Sequence, residues 1–301
     1  MKIINNIFFI IVVLFINISI SYQTESNTPS LYREDETCTI IINPKQLQKP
    51  TMDCGYSNYG GCTSIKHALY SLNMLLKTKD CSTAKIIIEN GVYYSFLLNS
   101  VDSIELSNLN NIKLLQIVGK EKKTFINGKN FEGSFFTFKE QLASPIEFQF
   151  VNLNFRNWHG EGNLIDFSPG GNKFVQIKFF NCTFKNIETP SILTANFPFS
   201  AINNRVSFYN SDFRNISTIN NPVVINHSNI KFTDSNINYS KMALTFFNLD
   251  SSFIKFSNST ISKELIYPVS GRNNYVEVYK TKDMTLAYCY NCFISKSDTK
   301  D

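Results

Sequence analysis

The residues best suited to covalent chemistry in this chain fall in one short segment, Trp158-His-Gly-Glu-Gly162. His159 and Glu161 place an imidazole and a carboxylate two residues apart, a combination able to act as general acid and base. Trp158 offers an aromatic face on which a sugar ring can stack. A simpler account also fits: the glycines permit a turn with an exposed His and a partly buried Trp. Glycoside hydrolysis needs two carboxylates about 5–9.5 Å apart. A second kind of chemistry is electrostatic. Arg156, Lys185 and Arg214 recur at matching positions of successive repeats, as do Lys178, Lys231 and Lys255 with Ser207 interrupting. Rows of cations suit a linear polyanion, and they are equally ordinary on any solvated sheet.

These side chains must be positioned by the elements around them, and those elements repeat. Phe148-Gln-Phe-Val-Asn152, Ile177-Lys-Phe-Phe-Asn181, Val206-Ser-Phe-Tyr-Asn210, Ile230-Lys-Phe-Thr-Asp234 and Ile254-Lys-Phe-Ser-Asn258 start 24 to 29 residues apart. Apolar and polar residues alternate, which marks half-buried strands. The third position is Phe in each copy: Phe150, Phe179, Phe208, Phe232 and Phe256. A second apolar column follows the bend at Phe155, Phe184, Phe213, Ile237 and Ile261. One such unit cannot bury its apolar face, but stacked units can, with parallel strands about 4.8 Å apart. The Asn column at the bend is expected to pass amide hydrogen bonds from coil to coil. Asp234 can accept but not donate, so the ladder should weaken there.

The columns read as outward offer little for catalysis. Asn154, Thr183, Asp212, Asn236 and Thr260 include one carboxylate; Arg156, Lys185, Arg214, Asn238 and Ser262 include none.

Further segments match one known architecture. Lys85-Ile-Ile-Ile-Glu-Asn-Gly-Val-Tyr93, Leu114-Leu-Gln-Ile-Val-Gly119 and Thr124-Phe-Ile-Asn-Gly128 precede the repeats, after Gly61-Cys-Thr-Ser-Ile-Lys-His-Ala-Leu69. Together with the repeats over about residues 84–268, they resemble the right-handed parallel β-helix of the pectin-lyase-like superfamily. That resemblance implies an all-β solenoid, with the 61–69 segment as the helix capping its first coil. The superfamily includes polysaccharide lyases, hydrolases and esterases, but their motifs are missing. Gly91-Val-Tyr93 is similar to the opening of pectin methylesterases, yet Ser95 stands where their Glu would be. His159-Gly160 is similar to part of the Gly-His-Gly of polygalacturonases, whose Asn-Thr-Asp, Asp-Asp and Arg-Ile-Lys partners are lacking.

The N-terminus carries Lys2 and a mostly apolar run, Ile3 to Ile20, with small residues at Ser19 and Ser21. This is expected to be a cleaved secretory signal over residues 1–21, the alternative being a retained anchor. No later segment is apolar enough to span a membrane. Residues 22–82 read as a Cys-rich cap with one helix, 83–268 as coils and 269–301 as a C-terminal cap. Secretion agrees with disulfides: Cys38, Cys54, Cys62 and Cys81 allow three pairings, and Cys289 and Cys292 suit a local bridge. Zinc would need four ligands, so no metal or cofactor is expected. Cys182 reads as a small buried thiol. The sequons at Asn181, Asn215, Asn226, Asn238 and Asn258 invite N-glycosylation. Asn215, Asn226 and Asn238 are favoured, because Asn181 and Asn258 sit in the ladder column.

A net charge of +5 is too modest to demand nucleic acid. The expected protein is a secreted, non-catalytic β-helix of the cell surface or extracellular matrix. Its expected partners are polysaccharide or cell-surface glycans, held by Arg156, Lys185, Arg214 and Trp158. The alternative is a divergent polysaccharide-active enzyme using His159 and Glu161.

Overall fold

Alternating side chains give each strand an apolar face and a polar one, and the fold stacks the apolar faces inward. The structure is a computed structural model. It describes residues 37–43, 54–55, 61–63, 65–94, 112–121, 124–128, 134–138, 142, 144–159, 161–170, 173–197, 203–218, 221–238, 245–262, 265, 267–282 and 293–297. The signal segment 1–21, Cys289 and Cys292 lie outside these residues.

Among the described residues, strands form three parallel sheets of ten, seven and six strands, the layout of a β-helix. Successive coils contribute one strand to each sheet, so sequence neighbours part and equivalent residues meet. In the ten-stranded sheet Phe150 pairs with Phe179, Phe179 with Phe208, Phe208 with Phe232 and Phe232 with Phe256. In the seven-stranded sheet Phe155, Phe184, Phe213, Ile237 and Ile261 align in the same way. All of these side chains are buried.

Register turns identical sequence into stacked rings. Phe150 and Phe179 are 5.0 Å apart at 12°, and Phe179 and Phe208 are 4.9 Å apart at 7°. The stack tilts at Phe232, whose ring lies 5.9 Å from Phe208 at 53°. Here the repeat shortens from 29 to 24 residues and Ile237 replaces Phe in the neighbouring column. Phe246 and Phe247 occupy the freed volume, meeting Phe213 at 83° and Phe232 at 80°.

The bend between the ten- and seven-stranded sheets requires a left-handed residue. Asn152, Asn181, Asn210, Asp234 and Asn258 have φ between 48° and 56°. Asn and Asp tolerate this region best among non-glycine residues. The ladder also forms: Asn181 Nδ2 donates to Asn152 Oδ1 at 3.1 Å, and Asn210 Nδ2 to Asn181 Oδ1 at 2.6 Å. It stops at Asp234, which makes no amide link to Asn210 or Asn258 among the described residues. Beside the bend, Cys182, Ser211, Ser235 and Ser259 form a buried column. Ser235 and Ser259 hydroxyls donate at 2.8 Å to the carbonyls of Thr233 and Ser257 and also reach toward Phe208 O and Phe232 O on the preceding coil, at 3.5 and 3.2 Å. The Cys182 thiol likewise reaches Phe150 O at 3.3 Å.

The ends are closed differently. The helix Ile65–Leu76 buries Ala68, Leu69, Leu72 and Leu75 in the core. Disulfides Cys38–Cys81 and Cys54–Cys62 tie down the chain around it. The ten-stranded sheet reaches past the expected coil limits, beginning at Thr37–Ile42 and ending at Phe293–Ser297. In that last strand Lys296 occupies the column of Val278. A charge in an inward column discourages addition of another chain to an edge strand.

Phe179→Ala should lower unfolding free energy by about 3–5 kcal/mol. Lys85→Ala, on the outer face of the same sheet, should change it by less than about 0.5 kcal/mol. Urea unfolding followed by circular dichroism measures both, and equal effects would contradict the assigned inward and outward faces.

Candidate functional site

Bend geometry decides which side chains of the seven-stranded sheet face outward. Strand Leu153–His159 starts with Phe155 inward and Arg156 outward. Asn157 is then left-handed, with φ 51°, as are Asn186 at 54° and Asn215 at 50°. One such residue shifts the alternation by a position. Trp158 therefore turns inward, in register with Ile187, which pairs in turn with Ile216. It is 1% exposed and makes an edge contact with Phe135 at 6.3 Å. A Cβ on Gly128 would stand 2.5 Å from its ring, so only glycine fits beneath it. Trp158 is thus a core residue, not the sugar-stacking platform expected from sequence.

The three bends also build a second asparagine ladder. Asn186 Nδ2 donates to Asn157 Oδ1 at 3.0 Å, and Asn215 Nδ2 to Asn186 Oδ1 at 2.8 Å. Its sequence signal was the repeat itself: Asn157, Asn186 and Asn215 each follow the Arg156, Lys185 and Arg214 positions by one residue.

Outside this frame, Arg156, Lys185 and Arg214 stand in register on three adjacent strands. Their environments differ. The Arg156 guanidinium lies over the Phe125 ring, 3.9 Å from its centroid, and its buried Nε has no hydrogen-bond partner. Lys185 is exposed and has no acidic partner among the described residues. Arg214 is bound by Asp212, two residues earlier, at 2.5 Å. That hydrogen bond, with the carboxylate charge, raises the Arg214 pKa further. Asn238 continues the column beyond Arg214.

The other row of cations is largely neutralised. Lys178 bonds Glu147 at 3.0 Å, and Lys255 is paired with Glu277. The expected acid–base pair is also rearranged. His159 Nδ1 lies 2.9 Å from Glu188 Oε2, while Glu161 is exposed on the following turn. Glu188 is the register neighbour of His159 and lies 29 residues on, so extending the columns past the second bend would have found it. Both partners of this pair are more than half exposed, at 52% and 65%. Among the described residues no three His, Cys, Asp or Glu side chains are grouped to hold a metal ion. No helix among them is long and apolar enough to cross a membrane.

The chain matches no family model, no curated protein and no solved structure.

Cys182, the free thiol among the described cysteines, is fully buried, which pushes its pKa from 9.0 up to about 12. Between those values the unfolded chain loses a proton that the folded chain keeps. The thiol's contribution is therefore intact below pH 9 and falls as pH rises toward 12. Cys182→Ser, matching Ser211 and Ser235 in its column, should fold and should lose less stability than the parent as pH rises from about 9 to about 11, within the window opened by the shift. Paired urea titrations test this, and parallel losses would contradict a buried, proton-retaining thiol.

Proposed function

We propose that the protein is a secreted, glycosylated, non-catalytic β-helix that binds acidic polysaccharide along the outer face of its seven-stranded sheet. One observation carries the reading: Arg156, Lys185 and Arg214 are aligned on successive coils, and Lys185, between the two guanidinium groups, has no acidic partner among the described residues. Adjacent like charges at about 5 Å repel by about 1 kcal/mol in water. A polyanion lying parallel to the solenoid axis relieves that repulsion, and a straight row of donors matches a linear chain. Arginine on Phe125 is held in place before any ligand arrives, which lowers the entropic cost of binding.

Two disulfides around the N-terminal helix fit an oxidising compartment, in keeping with the signal-like first 21 residues. Membership of the pectin-lyase-like superfamily rests on the strand and turn motifs quoted above. A polysaccharide hydrolase or lyase would need converging acid and base groups. Here Asp212 is committed to Arg214, and Glu188 to an exposed histidine. A scaffold that displays cations is the reading these commitments support.

Arg156→Glu, Lys185→Glu and Arg214→Glu together should weaken binding to an acidic polysaccharide by more than about tenfold, a loss of at least ~1.4 kcal/mol. Lys178→Glu, on the other sheet, should leave it nearly unchanged. Glycan arrays and titration calorimetry measure these effects. Binding unaffected by the triple reversal sinks the reading. So does release of reducing sugar that is lost in His159→Ala.

A further inference from the structure

Five sequons of the coils present chemically identical asparagines, and the fold treats their carboxamides unequally. N-glycosylation replaces one Nδ2–H with a bond from Nδ2 to C1 of a sugar. The donor is a lipid-pyrophosphate-linked oligosaccharide; the pyrophosphate lipid leaves and the amide gives up one proton. The product must then be housed in the folded coil.

Three of the five carboxamides are already engaged. Asn181 donates from Nδ2 to Asn152 Oδ1 at 3.1 Å and accepts at Oδ1 from Asn210 at 2.6 Å. Asn226 donates to Asn196 Oδ1 at 2.5 Å and accepts from Phe197 N–H at 2.8 Å. Asn215 Nδ2 donates to Asn186 Oδ1 at 2.8 Å. A substituted nitrogen keeps one hydrogen, but the attached pyranose must pass rungs spaced only about 4.8 Å apart. In the Asn226 sequon the third residue is also withdrawn: Ser228 is 5% exposed and its hydroxyl donates to Asn226 O at 3.0 Å.

Asn238 and Asn258 differ. Both are exposed, as Asn215 is, but neither side chain has a hydrogen-bond partner among the described residues. Asn238 ends the strand Asn236–Asn238 and lies outside both ladders. Asn258 occupies the ladder column, with φ 48°, but its neighbour on the preceding coil is Asp234. A carboxylate has no proton to donate to Asn210 Oδ1, so the ladder stops there, and among the described residues Asn258 Nδ2 makes no bond to Asp234. Thr260, the third residue of its sequon, is exposed as well.

We infer that Asn238 and Asn258 are the N-glycan attachment sites of the described coils and that Asn181, Asn215 and Asn226 stay unmodified. The inference rests on the secretory reading above and adds a consequence to it. The coils bearing Arg156, Lys185 and Arg214 stay free of sugar, and the Asn238 glycan marks the C-terminal limit of that row.

The test is expression of the full chain in a eukaryotic secretory host, with glycopeptide mapping and endoglycosidase mobility shifts. The secreted protein should carry sugar at Asn238 and Asn258, and Asn238→Gln and Asn258→Gln should each remove one mobility step. Ser240→Ala and Thr260→Ala, which break the sequons but keep both asparagines, should remove the same steps. Predominant modification of Asn181, Asn215 or Asn226 overturns the site assignment and leaves the secretory reading standing. A secreted protein lacking sugar at Asn238 and Asn258 does the same. A chain that stays in the cytosol without sugar overturns both.

Discussion

Everything in this fold depends on the left-handed bend. A coil closes only if its chain turns sharply between sheets, and the turns after the six strands of the ten-stranded sheet from Ile146–Val151 to Tyr275–Tyr279 use a residue with φ between 45° and 56°. Asparagine meets that demand at little conformational cost and brings an amide that can both donate and accept. Repeating the bend on each coil fixes the register of both adjoining strands. Once register is fixed, like residues stack on like, and Phe150, Phe179 and Phe208 fall 5.0 and 4.9 Å apart with nearly parallel rings. Burial of those rings supplies the bulk of the stabilisation, and the ladders hold the turns that make it possible.

The same constraint acts on the outer surface. A solenoid in register cannot scatter a repeated cation; it lines it up. Arg156, Lys185 and Arg214 are one row for the reason that Phe155, Phe184 and Phe213 are one stack. Inward rows are satisfied by contact. Outward rows of like charge are satisfied by a local counter-charge, as at Lys178 with Glu147, or by a ligand. Lys185 has neither an acidic neighbour nor an aromatic one among the described residues, which makes it the centre of the proposed site.

Much of this was legible in the sequence, for a physical reason. Period-two alternation survives in each strand, so the Phe columns, the first Asn ladder and its break at Asp234 could be read directly. The inert thiol was legible too, because Cys182 shares its column with serines. Trp158 was misplaced because a left-handed residue inside a strand shifts the alternation, and Asn157 gives no composition signal that separates it from an ordinary strand-end asparagine. The same bend hid the second ladder and brought Glu188, not Glu161, to His159. Cysteine pairing was open in the sequence since three connectivities are chemically equal; the fold brings together Cys38 with Cys81 and Cys54 with Cys62. Function was least legible, because outward columns are not held to a pattern by packing.

The central claim is that in-register stacking makes the outer face of the seven-stranded sheet a linear cation row that a polyanion can follow. Hydrogen exchange with and without a bound acidic oligosaccharide tests it most directly. Added protection should be confined to the strands Leu153–His159, Thr183–Glu188 and Asp212–Ile216 and the bends that border them. Protection centred on the ten-stranded sheet, or binding with no change on these three strands, would contradict the account.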